Sequence, residues 1–250
     1  MDAGLKALFI EKWKKYFPGA GLPVAWYYSD EINSGELEQN KTETRCLIGN
    51  LNKVMNGETY IYSVKEPGCL GGKFYTGYAK TLRKNFEYFL SCGIEGEMDG
   101  ERYKKTPELV SEQLKRQPVI TAPQKYLIFK RWDKLNEDDE PKAVVFFATA
   151  DVLSGLFTLA NYDEADLNAV ITPFGAGCSS IIQYPMTEAQ SDNPRCVLGM
   201  FDISARPHIP AGTLTFAVPM GKFIRMIHNM EESFLITKTW ENVKHRLEQK

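Results

Sequence analysis

The chain has 250 residues, of which 43% are hydrophobic and 25% charged, and its formal net charge is −2. This length supports a full hydrophobic core. The lack of a basic surplus argues against nucleic-acid binding, which depends on neutralising phosphates. The longest apolar run, 143–150, is far shorter than the roughly 18 residues of a membrane-spanning helix. Charged residues also interrupt the amino-terminal segment where a signal peptide would be apolar. We therefore expect a cytoplasmic protein without nucleic-acid or membrane partners.

The first half of the sequence predicts helices mixed with short strands. Apolar residues from Leu5 to Phe17 recur at helical spacing, which predicts a helix over 2–17. Thr106 before a proline predicts an N-cap for a helix over 107–116. The other predicted elements are strands at 24–29, 59–64 and 125–129, and helices at 44–55 and 74–90. The sequence also predicts a turn or hairpin within 93–105, a polar surface loop at 30–43 and a solvated acidic linker at 136–140.

The second half begins with the apolar run 143–148, which is typical of a buried strand. Its other predicted elements are strands at 168–172, 196–201 and 213–218, and helices at 152–162, just before Pro185, at 220–230 and within 237–249. Together the elements predict an α+β (mixed α/β) fold, with a short mixed sheet covered by helices. We expect one globular domain over 1–250.

The order of elements in 20–135 resembles the order in 141–235. Each half begins with a strand, continues with a helix and a second strand, and then reaches a Gly-Cys pair. The matched features are the strands 23–28 and 141–146, the pairs Gly68-Cys69 and Gly177-Cys178, and the later strands 126–129 and 215–218. We interpret this order as an internal pseudo-duplication, which would bring Cys69 and Cys178 to one cleft between the halves. The alternative is coincidence of two common α/β patterns.

A glycine-rich turn, Gly175-Ala176-Gly177-Cys178-Ser179-Ser180, follows a predicted strand and precedes a predicted helix. Backbone N–H groups at such a turn favour an anion. The turn resembles half of a dinucleotide-binding fingerprint, although Ser180 replaces its third glycine and Pro185 cuts the helix short. We therefore consider a ligand-binding cradle formed by Gly175, Gly177, Ser179 and Ser180. The alternative is a tight turn capped by a serine.

Five widely spaced cysteines do not suggest a disulfide scaffold. Cys69, Cys178 and Cys196 lie in separate predicted loops or strand starts, and three such thiols could bind zinc or an iron–sulfur cluster. The strong signal for such a site, a CxxC pair, is missing. The alternatives are buried inert thiols or reactive thiols. A helix dipole at Cys178 would stabilise its thiolate.

Two further functional hypotheses remain open. Cys178 could act as the nucleophile of a thiol-dependent enzyme with His208 as its base. Instead, the chain could be a non-catalytic interaction module, with the aromatic segment 26–28 on a partner surface. Ligand contacts could also come from Arg206, whose guanidinium suits a carboxylate or phosphate. Gly71 and Gly72 would let the backbone approach a ligand closely.

Several of these short motifs together resemble one family. They are Cys69-Leu70-Gly71-Gly72, the strand 143–147, Gly177-Cys178 followed by small residues, and Cys196, Arg206, Ile209-Pro210 and Ala217-Val218-Pro219. Over about 20–235 the chain is similar to the prokaryotic domain of unknown function 169 family. The resemblance implies a prokaryotic cytoplasmic protein with one domain, and it draws attention to Cys69, Cys178 and Cys196 without assigning them a role.

Overall fold

A seven-stranded mixed sheet lies at the centre of the computed structural model, which describes residues 1–32, 43–65 and 68–249. Its strands are β1 (Val24–Ser29), β2 (Tyr60–Ser63), β5 (Tyr126–Arg131), β6 (Ala143–Ala148), β7 (Val170–Ile171), β8 (Cys196–Gly199) and β9 (Leu214–Pro219). They are arranged in the order β2-β5-β1-β6-β9-β8-β7. Among the described strands β7 and β8 pair in parallel and the other neighbours are antiparallel. Most of the predicted loop at 30–43 lies outside the described residues.

Helices cover both faces of this sheet. One face packs against α1 (Ala3–Tyr16), α6 (Ala150–Asn161), α8 (Met220–Asn229) and α9 (Lys238–Glu248). The other packs against α2 (Leu47–Met55), α3 (Leu70–Tyr75) and a π-helix (Ser179–Gln183) that continues into α7 (Tyr184–Glu188). The short helix α4 (Phe86–Phe89), the hairpin β3–β4 (Gly93–Ile94 and Met98–Asp99) and α5 (Pro107–Arg116) form an excursion between β2 and β5. The α+β single-domain prediction is confirmed.

The central strands are apolar on both faces because both faces are covered. In β1, Ala25 and Tyr27 belong to the core under α1, and Trp26 belongs to the core under α2. The segment 26–28 is therefore part of the core and not a partner surface. The predicted N-cap is also confirmed, since the Thr106 hydroxyl accepts from the N–H of Leu109.

The single helix predicted over 74–90 is wrong. The chain leaves the helical path after α3 and returns to it only at α4. Gly77 adopts φ +79°, and a Cβ there would lie 2.4 Å from the backbone nitrogen of Ala122. Asn85, just before α4, also has a left-handed conformation. Packing against the Ala122 segment therefore overrides the helical pattern of apolar residues.

Pro185 does not end its helix, contrary to prediction. The π-helix runs directly into α7, and Pro185 occupies the first turn of α7. Proline has no backbone N–H, and the carbonyl of Ile181, four residues before it, accepts instead from the indole N–H of Trp26 at 2.9 Å.

The acidic linker at 136–140 is not fully solvated as predicted. Asp139 is only 6% exposed and accepts from the ammonium group of Lys130 at 3.0 Å. Lys130 is itself 2% exposed, and the Tyr27 hydroxyl also donates to Asp139. The linker therefore contributes a buried ion pair to the core.

The sheet agrees with part of the predicted pseudo-duplication. β1 and β6 pair at its centre, and β5 and β9 flank them on either side, as the matched strands require. The first helices of the two halves, α2 and α6, lie on opposite faces of the sheet. The duplication therefore stays a prediction. Within the described ranges, no helix is long and apolar enough to cross a membrane.

Replacing Asp139 should destabilise the fold strongly. In Asp139→Ala the Lys130 ammonium stays buried without this carboxylate, and breaking such a pair costs about 3–5 kcal/mol of the free energy of unfolding. Chemical denaturation monitored by circular dichroism would measure the loss. Glu112→Ala is the matched control, since it breaks the exposed pair with Lys115 and should leave the free energy unchanged. Equal effects of the two variants would contradict this account.

Candidate functional site

A cavity of about 810 Å³ lies between the two sequence halves. Its lining comes from residues between 46 and 113 in the first half and between 173 and 205 in the second. Because α2, α3 and the start of the π-helix contribute to it, the cavity opens on the α2 face of the sheet. The excursion through α4 and α5 supplies the remaining wall.

The cavity walls are mainly apolar and aromatic. Tyr75, Phe86, Phe89, Phe174 and Phe201 all line it. Some of these side chains are unusually exposed for their size; Phe174, for example, is 55% accessible. An exposed apolar patch of this kind marks a binding surface more often than an isolated apolar side chain does.

Three cysteines line the same cavity, and each lies at a helix start. Cys46 is the N-cap of α2, Cys69 is the N-cap of α3, and Cys178 immediately precedes the π-helix. Cys69 Sγ accepts from the N–H of Gly72 at 3.1 Å. Sequence reasoning paired Cys69 with Cys178 but missed Cys46, because the predicted helix over 44–55 placed it inside the first turn.

The expectation of a stabilised thiolate at Cys178 is wrong. Burial raises the pKa of the Cys178 thiol well above its ordinary value, and the neighbouring thiols of Cys69 and Cys46 raise it further. Burial likewise raises the pKa of Cys46. The buried Cys178 is therefore a weak nucleophile at neutral pH, since the thiolate is the reactive form.

Cys196 does not share this site. It lies at the start of β8, on the opposite face of the sheet, in the core under α1. Burial raises the pKa of its thiol to about 12. The predicted trio of Cys69, Cys178 and Cys196 is therefore not brought together. Across the described residues, no three His, Cys, Asp or Glu side chains are arranged to hold a metal ion.

The glycine-rich turn already binds a carboxylate of its own chain. The N–H of Gly177 donates to Asp202 Oδ2 at 3.0 Å. The other oxygen of Asp202 accepts from the Ser204 N–H at 3.0 Å and from its hydroxyl at 2.7 Å. The hydroxyls of Ser179 and Ser180 donate back to the carbonyls of Ala176 and Gly177. This arrangement favours the tight-turn alternative over an anion-binding cradle.

The remaining predicted ligand contacts divide into two groups. Gly71, Gly72, Gly175, Gly177 and Ser180 line the cavity. Ser179, Arg206 and His208 lie outside the lining.

The two residues from the 205–210 segment have other roles. Arg206 Nη1 donates to the carbonyl of Thr213 at 2.6 Å. The imidazole of His208 packs beside Gly49 of α2, and its carbonyl accepts from Asn52 at 3.0 Å. Nothing in this geometry favours a Cys178–His208 catalytic pair.

Sequence reasoning missed a glutamine at the α5 wall. Gln113 lines the cavity, and Gln117 follows one helical turn later at the end of α5. Both share a helix face with the buried Val110, at spacings of three and seven residues. That spacing was a usable signal, but glutamine on a helix is usually solvated.

The family model for domain of unknown function 169, described as "Uncharacterised ArCR", matches residues 20–229. This match covers the whole sheet and every residue that lines the cavity. No curated protein and no solved structure matches the chain.

Thiol accessibility should separate the cysteines of the folded protein. Cys69 and Cys92 are exposed, whereas Cys178 and Cys196 are buried. Because burial raises the pKa of both buried thiols, we expect iodoacetamide to modify the exposed pair first at neutral pH. Peptide mass spectrometry after timed labelling would measure this order. Labelling in denaturant, where all the cysteines should react, is the control, and rapid modification of Cys178 in the folded protein would contradict the prediction.

Proposed function

The chain belongs to the domain of unknown function 169 family, and from the geometry of the cavity we propose that it binds a small, largely apolar organic molecule. The observation that carries this proposal is an open cavity of about 810 Å³ with mainly apolar and aromatic walls. Sites for drug-sized ligands and cofactors typically have volumes of about 300–1,000 Å³ and apolar linings with a few polar groups.

The rim of the cavity supports the same proposal. Leu70, Phe201 and Ile203 line it and are strongly exposed, with Ile203 reaching 68%. A ligand seated between them would remove this apolar surface from water, at roughly 25 cal/mol per Å² of buried area. The cavity therefore offers a hydrophobic driving force for binding.

The position of the cavity fits the proposed pseudo-duplication. Cys69 and Cys178, the cysteines of the two Gly-Cys segments, both line the cavity. We propose that the ligand sits between these equivalent segments and contacts both halves. Domain and subdomain junctions are common places for small-molecule sites.

Filling the cavity with a side chain should prevent binding. Gly71 lines the cavity, and a Cβ there meets only ordinary contacts, the nearest at 3.7 Å from Tyr75. The indole of Gly71→Trp should therefore occupy the cavity without disrupting α3. We expect this variant to lose most of the fluorescence enhancement that wild-type protein gives with 8-anilinonaphthalene-1-sulfonate.

The matched control is Gly221→Trp in α8. A Cβ at Gly221 meets nothing within 4 Å, and the residue lies outside the cavity lining. This variant should bind the probe as wild-type protein does, and circular dichroism should show both variants folded. Undiminished probe binding by folded Gly71→Trp would refute binding in the cavity.

A second candidate function is the binding of zinc or an iron–sulfur cluster by Cys46, Cys69 and Cys178. The observation that favours it is the presence of three thiols in one cavity wall. Zn–S bonds of about 2.3 Å require the sulfurs to converge. Because no three such side chains are arranged for a metal ion among the described residues, the thiols would have to move together on binding. Asp202, which also lines the cavity, would supply a carboxylate oxygen as the fourth ligand.

Elemental analysis of protein purified without oxygen would test this candidate. Stoichiometric zinc or iron should be present in wild-type protein and lost in Cys46→Ser, Cys69→Ser and Cys178→Ser. Cys92→Ser is the control, because Cys92 lies outside the cavity lining and its thiol donates to the carbonyl of Gly93. Metal-free wild-type protein, or equal metal in all variants, would exclude the candidate.

A further inference from the structure

One arginine lies among the apolar walls of the cavity. Within the described residues, Arg83 is the one lysine or arginine in the lining, and it belongs to the segment between α3 and α4. Its guanidinium carbon lies 4.6 Å from the centroid of the Phe89 ring. Phe89, at the end of α4, lines the cavity as well. The cation is therefore positioned against an aromatic wall of the site.

The contact with the ring does not pair the N–H donors of Arg83 with an acceptor. A cation–π contact is an attraction between the charge and the ring face, and the side chain makes no hydrogen bond or ion pair within the described part of the chain. Arg131, Arg195 and Arg225, by contrast, each pair with a carboxylate. Arg83 is also exposed, so a molecule that enters the cavity can reach its donors.

The two carboxylates in the lining already interact with the protein. One oxygen of Asp202 accepts from the N–H of Gly177, and the other accepts from Ser204. Glu101 interacts with the phenol of Tyr103, which also lines the cavity. The guanidinium is therefore the charged group of the lining that has no partner among the described residues, and such a group favours an anion.

A second cation adds positive charge close to the same walls. Lys104 Nζ lies 4.3 Å from the centroid of the Phe174 ring, which lines the cavity. The backbone N–H of Lys104 donates at 3.1 Å to the carbonyl of Leu90, another residue of the lining. Lys104 itself lies outside the lining, so it contributes to the electrostatic potential of the site and makes no direct ligand contact.

We propose that the ligand is an organic anion with an apolar body, and that Arg83 binds its anionic group. This inference rests on the proposed function and names its ligand class. Arginine suits the task because its guanidinium is always charged, is more weakly hydrated than an ammonium group and presents a fork of donors that matches a carboxylate. The apolar body of the ligand then packs against the aromatic walls while its charged end meets Arg83.

The test compares two fluorescent probes that share one aromatic body. 8-Anilinonaphthalene-1-sulfonate carries an anionic group, and N-phenyl-1-naphthylamine is the same molecule without it. In fluorescence titrations of the full-length protein at low salt, Arg83→Gln should weaken binding of the sulfonate about fivefold, the upper end of the range for an exposed ion pair. The dissociation constant of the neutral probe should stay unchanged. Each probe is compared only with itself, so their unequal hydrophobicity does not affect the result. Gly71→Trp should weaken both probes, which locates them in the cavity.

Lys84→Gln is the matched control, because Lys84 is the next residue, is exposed and lies outside the lining. It should leave the binding of both probes unchanged, and circular dichroism should show both variants folded. Arg83→Gln that weakens both probes equally, or neither, would overturn the proposal, as would an equal loss of the sulfonate in Lys84→Gln. Each of these results leaves the cavity as a ligand site. Failure of wild-type protein to bind either probe would instead reject the proposed function itself.

Discussion

The burial of β1 on both faces is the constraint on which the rest of the structure depends. Trp26 is fully buried, and its indole N–H donates to the carbonyl of Ile181 at 2.9 Å. This hydrogen bond connects the middle of the sheet to the π-helix, and so fixes the segment that begins with Cys178. A side chain of this size leaves no room for the π-helix to slide over the sheet, because protein interiors are close-packed.

The close approach of β8 to the π-helix at Gly199 fixes the position of the π-helix as well. A Cβ on Gly199 would lie 2.3 Å from Cβ of Ser180, so only glycine lets β8 and the π-helix meet. Met200, next along the chain, takes φ +70°, an uncommon conformation for its type, and lines the cavity. These close contacts form one side of the cavity, and the excursion through α4 and α5 forms the other.

Local patterns predicted the parts of the fold that local forces decide. Apolar runs identified β1 and β6, and Thr106 identified the start of α5. The break after α3 was missed because it follows from a contact between Gly77 and the distant Ala122. The sequence also could not tell which face of the sheet Cys196 occupies. Cys196 faces one core and Val197 faces the other, and a shift of the strand by one residue would exchange the two faces.

Some residues of the candidate site could be identified from the sequence, and others could not. Glycine and cysteine are conspicuous in sequence, so Gly175, Cys69 and Cys178 were found. The raised pKa of Cys178 was not predicted, because burial of the thiol by the surrounding fold outweighs any effect of the helix start. Gln113 is the reverse case, since glutamine on a helix is usually exposed to solvent and only the fold places this residue in the cavity lining.

The exposed apolar and aromatic side chains that line the cavity are a cost that the folded chain bears by itself. This cost falls when a molecule with an apolar body enters the cavity. Binding to the folded state alone would also raise its stability by RT ln(1 + [L]/Kd). The same features that weaken the free protein thus provide the free energy for binding. The cavity is therefore better explained as a site completed by its ligand than as a defect in packing.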